Sequence, residues 1–101
     1  PTEFDLHKKF FDNLHRFIPN AKIVKEDVVS EHRPDGFLEI NNELHVVEMK
    51  LKVFDAAALR QICRYMKNYV AKGVAVAPKL SCSLPDDVMF IELAVYEITV
   101  T

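Results

Sequence analysis

The chain has 101 residues, half of them hydrophobic and only two of them glycine, with a formal charge of -2. That length allows one domain spanning 1–101 with a single core and little to spare, and the composition excludes a disordered chain. The charge excludes a general polycation that coats nucleic acid, and no apolar run approaches the roughly 20 residues needed to cross a bilayer, so a soluble, intracellular (cytoplasmic) protein is expected, with no membrane partner.

Taken in order, the elements read as α/β. Thr2 can cap a first helix running to Ile18, with Leu6, Phe10, Leu14 and Phe17 on its buried stripe and Pro19 beyond its end. Glu3 lies within that stripe and Asp5 points away from it; an acid in the first turn suits the helix dipole whatever else it does. Lys22 to Val29 reads as a strand leading into a hairpin of Gly36 to Ile40 and Glu43 to Val53, joined by Asn41-Asn42, residues that tolerate the left-handed conformations of tight turns. Asp55 caps a long helix that Gly73 ends, with Leu59, Ile62, Cys63, Met66 and Val70 as its core stripe. Val74 to Ala77 suits a central strand buried on both faces. A turn near Pro85 then leads to a strand over Val88 to Leu93, with Val95 to Val100 as an edge strand. Cys63 and Cys82 lack metal-type spacing and read as reduced core thiols, and the four histidines form no ligand pattern.

The hairpin carries the chemistry. A two-residue loop pairs Ile40 with Glu43, and counting outward pairs Phe37 with Val46 and Asp35 with Glu48 on one face. Such partners stand about 4.5–5.5 Å apart at Cβ, where like charges destabilise the sheet unless something compensates. A divalent cation would compensate. Lys50 follows on the same face by the strand's period of two. Two carboxylates and water suit Mg²⁺ and leave positions for a phosphodiester, while a lysine can hold a water or offset charge on the phosphate. Leu44 and Val46 precede Glu48 on that face, as at the edge of a cleft, although spacing alone leaves a solvated surface hairpin equally open.

The charge is unevenly spread. Residues 50–82 carry seven Lys or Arg against one acid, and Arg60, Arg64 and Lys67 share a helical stripe that could follow a phosphate backbone or simply face water. Gln61 and Tyr65 stack one turn apart on a different face, where an amide and a phenol could reach the cleft.

The ordered set Pro34-Asp35, Glu48-Met49-Lys50 and Gln61-Ile62-Cys63-Arg64-Tyr65 resembles the PD-(D/E)XK nuclease superfamily, in its Q-x-x-x-Y branch. Within it the chain is similar to the catalytic domain of the NucS/EndoMS mismatch-specific endonuclease family. The similarity runs through Thr2-Glu3-Phe4-Asp5-Leu6, Asp35, Val46 to Lys50, Gln61, Tyr65, Val74 to Pro78 and Phe90-Ile91-Glu92-Leu93. It implies a restriction-endonuclease-like core, a mixed sheet flanked by helices in αβββαβ order with one or two further C-terminal strands. It also implies Mg²⁺ or Mn²⁺ held by Asp35 and Glu48, with the Met49 carbonyl and Glu3 assisting, and Lys50, Gln61 and Tyr65 in the catalytic centre. Arg33, Arg60, Arg64 and Lys67 would contact the nucleic acid. Arg33-Pro34-Asp35-Gly36 departs from the Gly-x-Ile-Asp usual in that family, and the family's separate DNA-binding domain has no counterpart here, so mismatch specificity does not carry over.

The expectation is therefore a Mg²⁺- or Mn²⁺-dependent nuclease hydrolysing DNA, acting as a homodimer or within a larger assembly. The alternative is a non-catalytic nucleic-acid-binding or assembly module that keeps the nuclease fold.

Overall fold

A computed structural model describes residues 1–25 and 33–95. The element order is α1 (Glu3–Asp12), α2 (Leu14–Phe17), β1 (Ala21–Ile23), β2 (Gly36–Ile40), β3 (Glu43–Met49), α3 (Ala56–Tyr69), β4 (Lys72–Ala77) and β5 (Val88–Glu92). One five-stranded mixed sheet runs β1-β2-β3-β4-β5. Its first three strands are antiparallel and β3, β4 and β5 are parallel, so the expected α/β architecture is the one observed. β3 is where the two patterns meet, and the crossover to β4 is made by α3, as a parallel pair requires.

The N-terminal helix starts as its sequence dictates. The Thr2 side chain accepts from the Asp5 backbone N–H while Asp5 accepts from the Thr2 N–H at 2.8 Å, a complete capping box. It does not run unbroken to Ile18. The Asn13 side-chain amide donates to the Lys9 carbonyl at 2.9 Å, taking the acceptor its own backbone N–H would use in a continuous helix. Leu6, Phe10 and Leu14 are nevertheless all buried.

The Asn41-Asn42 turn has φ values of 53° and 64°, the left-handed pair of a two-residue hairpin. It fixes the register Ile40↔Glu43, Phe37↔Val46 and Gly36↔Val47. β3 ends at Met49, short of the expected Val53, and β1 ends at Ile23. The rest of the strand expected to Val29 falls largely outside the described residues, as does the edge strand expected from Val95 to Val100.

The sheet is covered on both faces. One core joins Leu6, Phe10 and Leu14 to Leu38, Val47, Met49, Val74 and Val76. The other joins Ala58, Ile62, Tyr65 and Met66 to Phe37, Val46, Ala75 and Ala77. The buried face of α3 is thus turned from the expected stripe: Tyr65 is inside it, whereas Cys63 is exposed and is no core thiol. Cys82 is partly buried and both cysteines are free.

Gly73 does not end α3. The helix stops at Val70, which adopts φ 52°, ψ 59°, and Gly73 lies inside β4. Val70 is 90% exposed, so no packing compensates a β-branched side chain in the left-handed region. Val70→Gly is expected to stabilise the fold by about 1 kcal/mol in urea unfolding, because glycine carries no Cβ penalty there. Ile62→Ala, at a fully buried position between α3 and the sheet, is expected to cost about 2–5 kcal/mol by the same measurement.

Candidate functional site

The paired register ends at Gly36↔Val47, so the direct pairing of Asp35 with Glu48 expected from the count is not part of the observed ladder. The Asp35 N–H donates to the Val47 carbonyl at 2.9 Å, one residue beyond the paired Gly36, which brings Asp35 to the end of β3 that carries Glu48. Glu48 is 4% exposed, on a strand hydrogen-bonded on both sides. Asp35 is half-buried, and its two oxygens do different things. Oδ2 accepts from the Met49 backbone N–H at 2.7 Å, while Oδ1 faces the His7 Nε2 at 3.5 Å. Glu48 Oε2 is buried without a hydrogen-bond partner.

Such a setting penalises a second negative charge. The Glu48 carboxyl is pushed up from 4.5 to about 9, chiefly by burial, then by its hydrogen bond to Asp35 and the Asp35 charge; Lys50 opposes the rise and Glu3 adds to it. A divalent cation between the two carboxylates would reverse this balance, since it favours the charged form of both. Asp35 Oδ1, which no backbone N–H engages, and the unpartnered Glu48 Oε2 are the oxygens that could hold one.

Lys50 lies just past β3, where its backbone N–H donates to the Val76 carbonyl at 2.9 Å and fixes its position. Its Nζ donates to Gln61 Oε1 at 3.5 Å, and Gln61 Nε2 donates to the Tyr65 hydroxyl at 3.1 Å. Lys50, Gln61 and Tyr65 therefore form one chain from the end of β3 onto α3. Tyr65 is buried in the core on that side, so it anchors Gln61 from beneath and does not stand free at the surface.

The other expected site residues are placed at differing removes. Glu3 is exposed in the first turn of α1 and acts on Glu48 through its charge, whereas Asp5 is taken up by the capping box. The Met49 side chain belongs to the core and its N–H serves Asp35. Arg60, Arg64 and Lys67 are exposed on α3, about 100° round the helix from Gln61 and Tyr65. Arg33 is exposed and lines a cleft of about 410 Å³ together with Lys25, Phe11 and Asp35. Among the described residues, no group of three His, Cys, Asp or Glu side chains is arranged so as to hold a metal ion.

One neighbour of the site was not singled out by the sequence. His7 follows Glu3 by four residues, hence one helical turn, and that spacing was the available signal.

No protein-family model matches the chain, and no curated protein matches it. Solved structures do. A complex of EndoMS with double-stranded DNA superposes with a TM-score of 0.75 at 21% identity over 92% of this chain and 44% of that one. A repair endonuclease from Pyrococcus abyssi superposes at 0.74 with 20% identity, over 93% and 47% of the two chains, and apo EndoMS at 0.69 with 17%, over 93% and 46%. At these identities the likeness is one of fold. The chain spans less than half the length of each of these proteins. Among the described residues no helix is long and apolar enough to cross a membrane.

The raised Glu48 group has a consequence for stability. Its folded value exceeds its unfolded one, so the folded state holds a proton between 4.5 and about 9 that the unfolded state has released. Stability from this group is complete below that window and is lost as pH rises through it. In metal-free buffer the melting temperature is expected to fall from about pH 5 to about pH 8. Glu48→Gln, which keeps the shape and cannot ionise, should flatten that decline; an equal decline in the variant would contradict the assignment.

Proposed function

We propose that this chain is a metal-dependent nuclease domain that hydrolyses phosphodiester bonds in DNA. The observation that carries the reading is the buried Glu48, its Oε2 unpartnered, beside Asp35 whose Oδ1 is also unengaged by the backbone. A fold that keeps two acids together at such a cost, with a lysine next to them, is accounted for by a cation that binds there. The fold is one it has in common with endonucleases, one of them in complex with double-stranded DNA, which supports DNA as the substrate.

Asp35 and Glu48 would hold Mg²⁺ or Mn²⁺, with Glu3 adding negative potential and the Met49 backbone at the edge of the site. When bound, the ion would acidify water and stabilise charge developing on the phosphate. Lys50 Nζ is the group placed to orient the attacking water and to offset charge on the phosphate oxygens. Gln61 accepts from Lys50 and so fixes the direction of its ammonium, and Tyr65 holds Gln61 from the core. Arg60, Arg64 and Lys67 on the outer side of α3, with Arg33 at the cleft, would follow the phosphate backbone by charge. The domain would work as a soluble, intracellular homodimer or as part of a larger assembly, since its own excess of positive charge is confined to one segment.

The test is cleavage of labelled single-stranded, duplex, mismatched and four-way-junction DNA in Mg²⁺ and in Mn²⁺. Glu48→Ala and Lys50→Ala should each lower the rate at least about 100-fold while leaving the unfolding transition intact. Undiminished cutting by either variant would refute the mechanism, and DNA binding without cutting by the parent would favour the non-catalytic module. In duplex binding, Arg60→Ala, Arg64→Ala and Lys67→Ala each take one cation away from the phosphate backbone, and each should flatten the slope of log affinity against log salt by about 0.9.

A further inference from the structure

Two side-chain atoms, His7 Nε2 and Glu48 Oε2, are buried without a hydrogen-bond partner among the described residues. Each adjoins Asp35. His7 Nε2 stands 3.5 Å from Asp35 Oδ1 without making a hydrogen bond to it, and Asp35 is the group that acts most strongly on Glu48 after burial itself. The other described histidines are satisfied otherwise: His15 bonds the Ala21 carbonyl and His45 the Glu43 carbonyl, each at 3.0 Å. Buried polar atoms are ordinarily paired, so two orphans converging on one carboxylate call for a common partner.

The geometry points to His7 as a nitrogen ligand of the cation held by Asp35 and Glu48, and so as the residue that sets which cation the centre prefers. The inference rests on the metal centre proposed above and deepens it. Donors about 2.1 Å from an ion on neighbouring octahedral corners stand about 3.0 Å apart. The separation of His7 Nε2 from Asp35 Oδ1 is 3.5 Å, a few tenths longer, with Asp35 Oδ2 tied to the Met49 N–H so that Oδ1 alone is left facing the imidazole. Among the described residues no group of three such side chains is arranged to hold an ion, so binding through His7 would require Glu48 and His7 to turn toward Asp35 Oδ1. α1 makes this economical in structure, because one helical face carries both His7 and Glu3, and the charge of Glu3 already reaches Glu48.

The chemical class of the ion follows from the donors. Carboxylates and water suit Mg²⁺, Ca²⁺ and Mn²⁺ alike, whereas an imidazole nitrogen is a ligand that transition-metal ions such as Mn²⁺, Co²⁺ and Zn²⁺ accept far better than the hard Mg²⁺ and Ca²⁺ do. A centre with His7 in it should therefore bind Mn²⁺ well ahead of Mg²⁺, and removal of His7 should erase that preference more than it lowers overall affinity.

The experiment uses Mn²⁺ itself as the probe, without DNA. Pulsed electron paramagnetic resonance of the Mn²⁺-loaded protein should show modulation from a coordinated nitrogen, absent in His7→Ala and His7→Gln. Calorimetry should show Mn²⁺ affinity falling at least the roughly 10-fold that loss of an outer-shell partner costs, with Mg²⁺ affinity nearly unchanged. Asp35→Asn serves as the control that weakens both ions. Mn²⁺ binding without nitrogen modulation, modulation retained in both His7 variants, or a parallel fall for the two ions would overturn the role of His7 and leave the Asp35–Glu48 centre standing. Failure of the parent to bind Mn²⁺ at all would overturn both.

Discussion

Glu48 sits on the strand where the antiparallel and parallel halves of the sheet meet, hydrogen-bonded through its backbone on both sides and shielded from water by the layers above and below. Its carboxyl has a second acid beside it and no partner for one oxygen. Much of the surrounding structure can be understood as what holds that arrangement together. The two-residue turn fixes the register as far as Gly36↔Val47, the Asp35 N–H reaches back to the Val47 carbonyl, the Met49 N–H holds one Asp35 oxygen still, and the Lys50–Gln61–Tyr65 chain brings a positive charge. An acid forced to stay protonated is a poor ligand and a poor base, and a bound cation would favour the charged form of both carboxylates.

The two helical layers supply rigidity and different chemistry. α1 covers one face through Leu6, Phe10 and Leu14 and brings Glu3 and His7 to the end of the sheet. α3 covers the other through Ala58, Ile62, Tyr65 and Met66, and turns its cations outward. Tyr65 joins the two tasks: its ring is part of the core and its hydroxyl accepts from Gln61, so the group that orients Lys50 is fastened to the best-packed part of the domain. Residues on strands and long helices hold their geometry better than residues on loops, which keeps the spacing of Glu48, Gln61 and Tyr65 fixed.

Local chemistry explains which parts were legible in the sequence. The hairpin register could be counted as far as Gly36↔Val47 because Asn41 and Asn42 tolerate positive φ and a period of two follows; at Asp35 the count failed, since its N–H bonds the Val47 carbonyl instead of continuing the ladder to Glu48. The capping residues Thr2 and Asp55 were readable for the same reason, since a cap acts within one turn. The exit of α3 was not. Gly73 was the obvious stop, yet the chain turns at Val70 in a conformation valine disfavours, and only the packing of β4 against β3 and β5 places Gly73 in a strand. Cys63 is apolar at a helical spacing, which argues for the core, but the structure turns that stripe toward Tyr65, which joins the buried cluster that contains Phe37 and Val46. His7 gave no signal as one of four scattered histidines; only the folded end of α1 shows that its Nε2 meets Asp35. The strand expected over Val95 to Val100 lies largely outside the described residues.

The most direct test is to follow the Glu48 carboxyl itself by ¹³C NMR through a pH titration, first free of metal and then with saturating Mg²⁺. A buried carboxyl opposed by Asp35 and relieved by a cation should titrate near 9 in the free protein and fall by several units when Mg²⁺ binds. A midpoint in the ordinary carboxylate range, or one that Mg²⁺ leaves unmoved, would contradict the claim that this pair of acids is built to hold a metal ion.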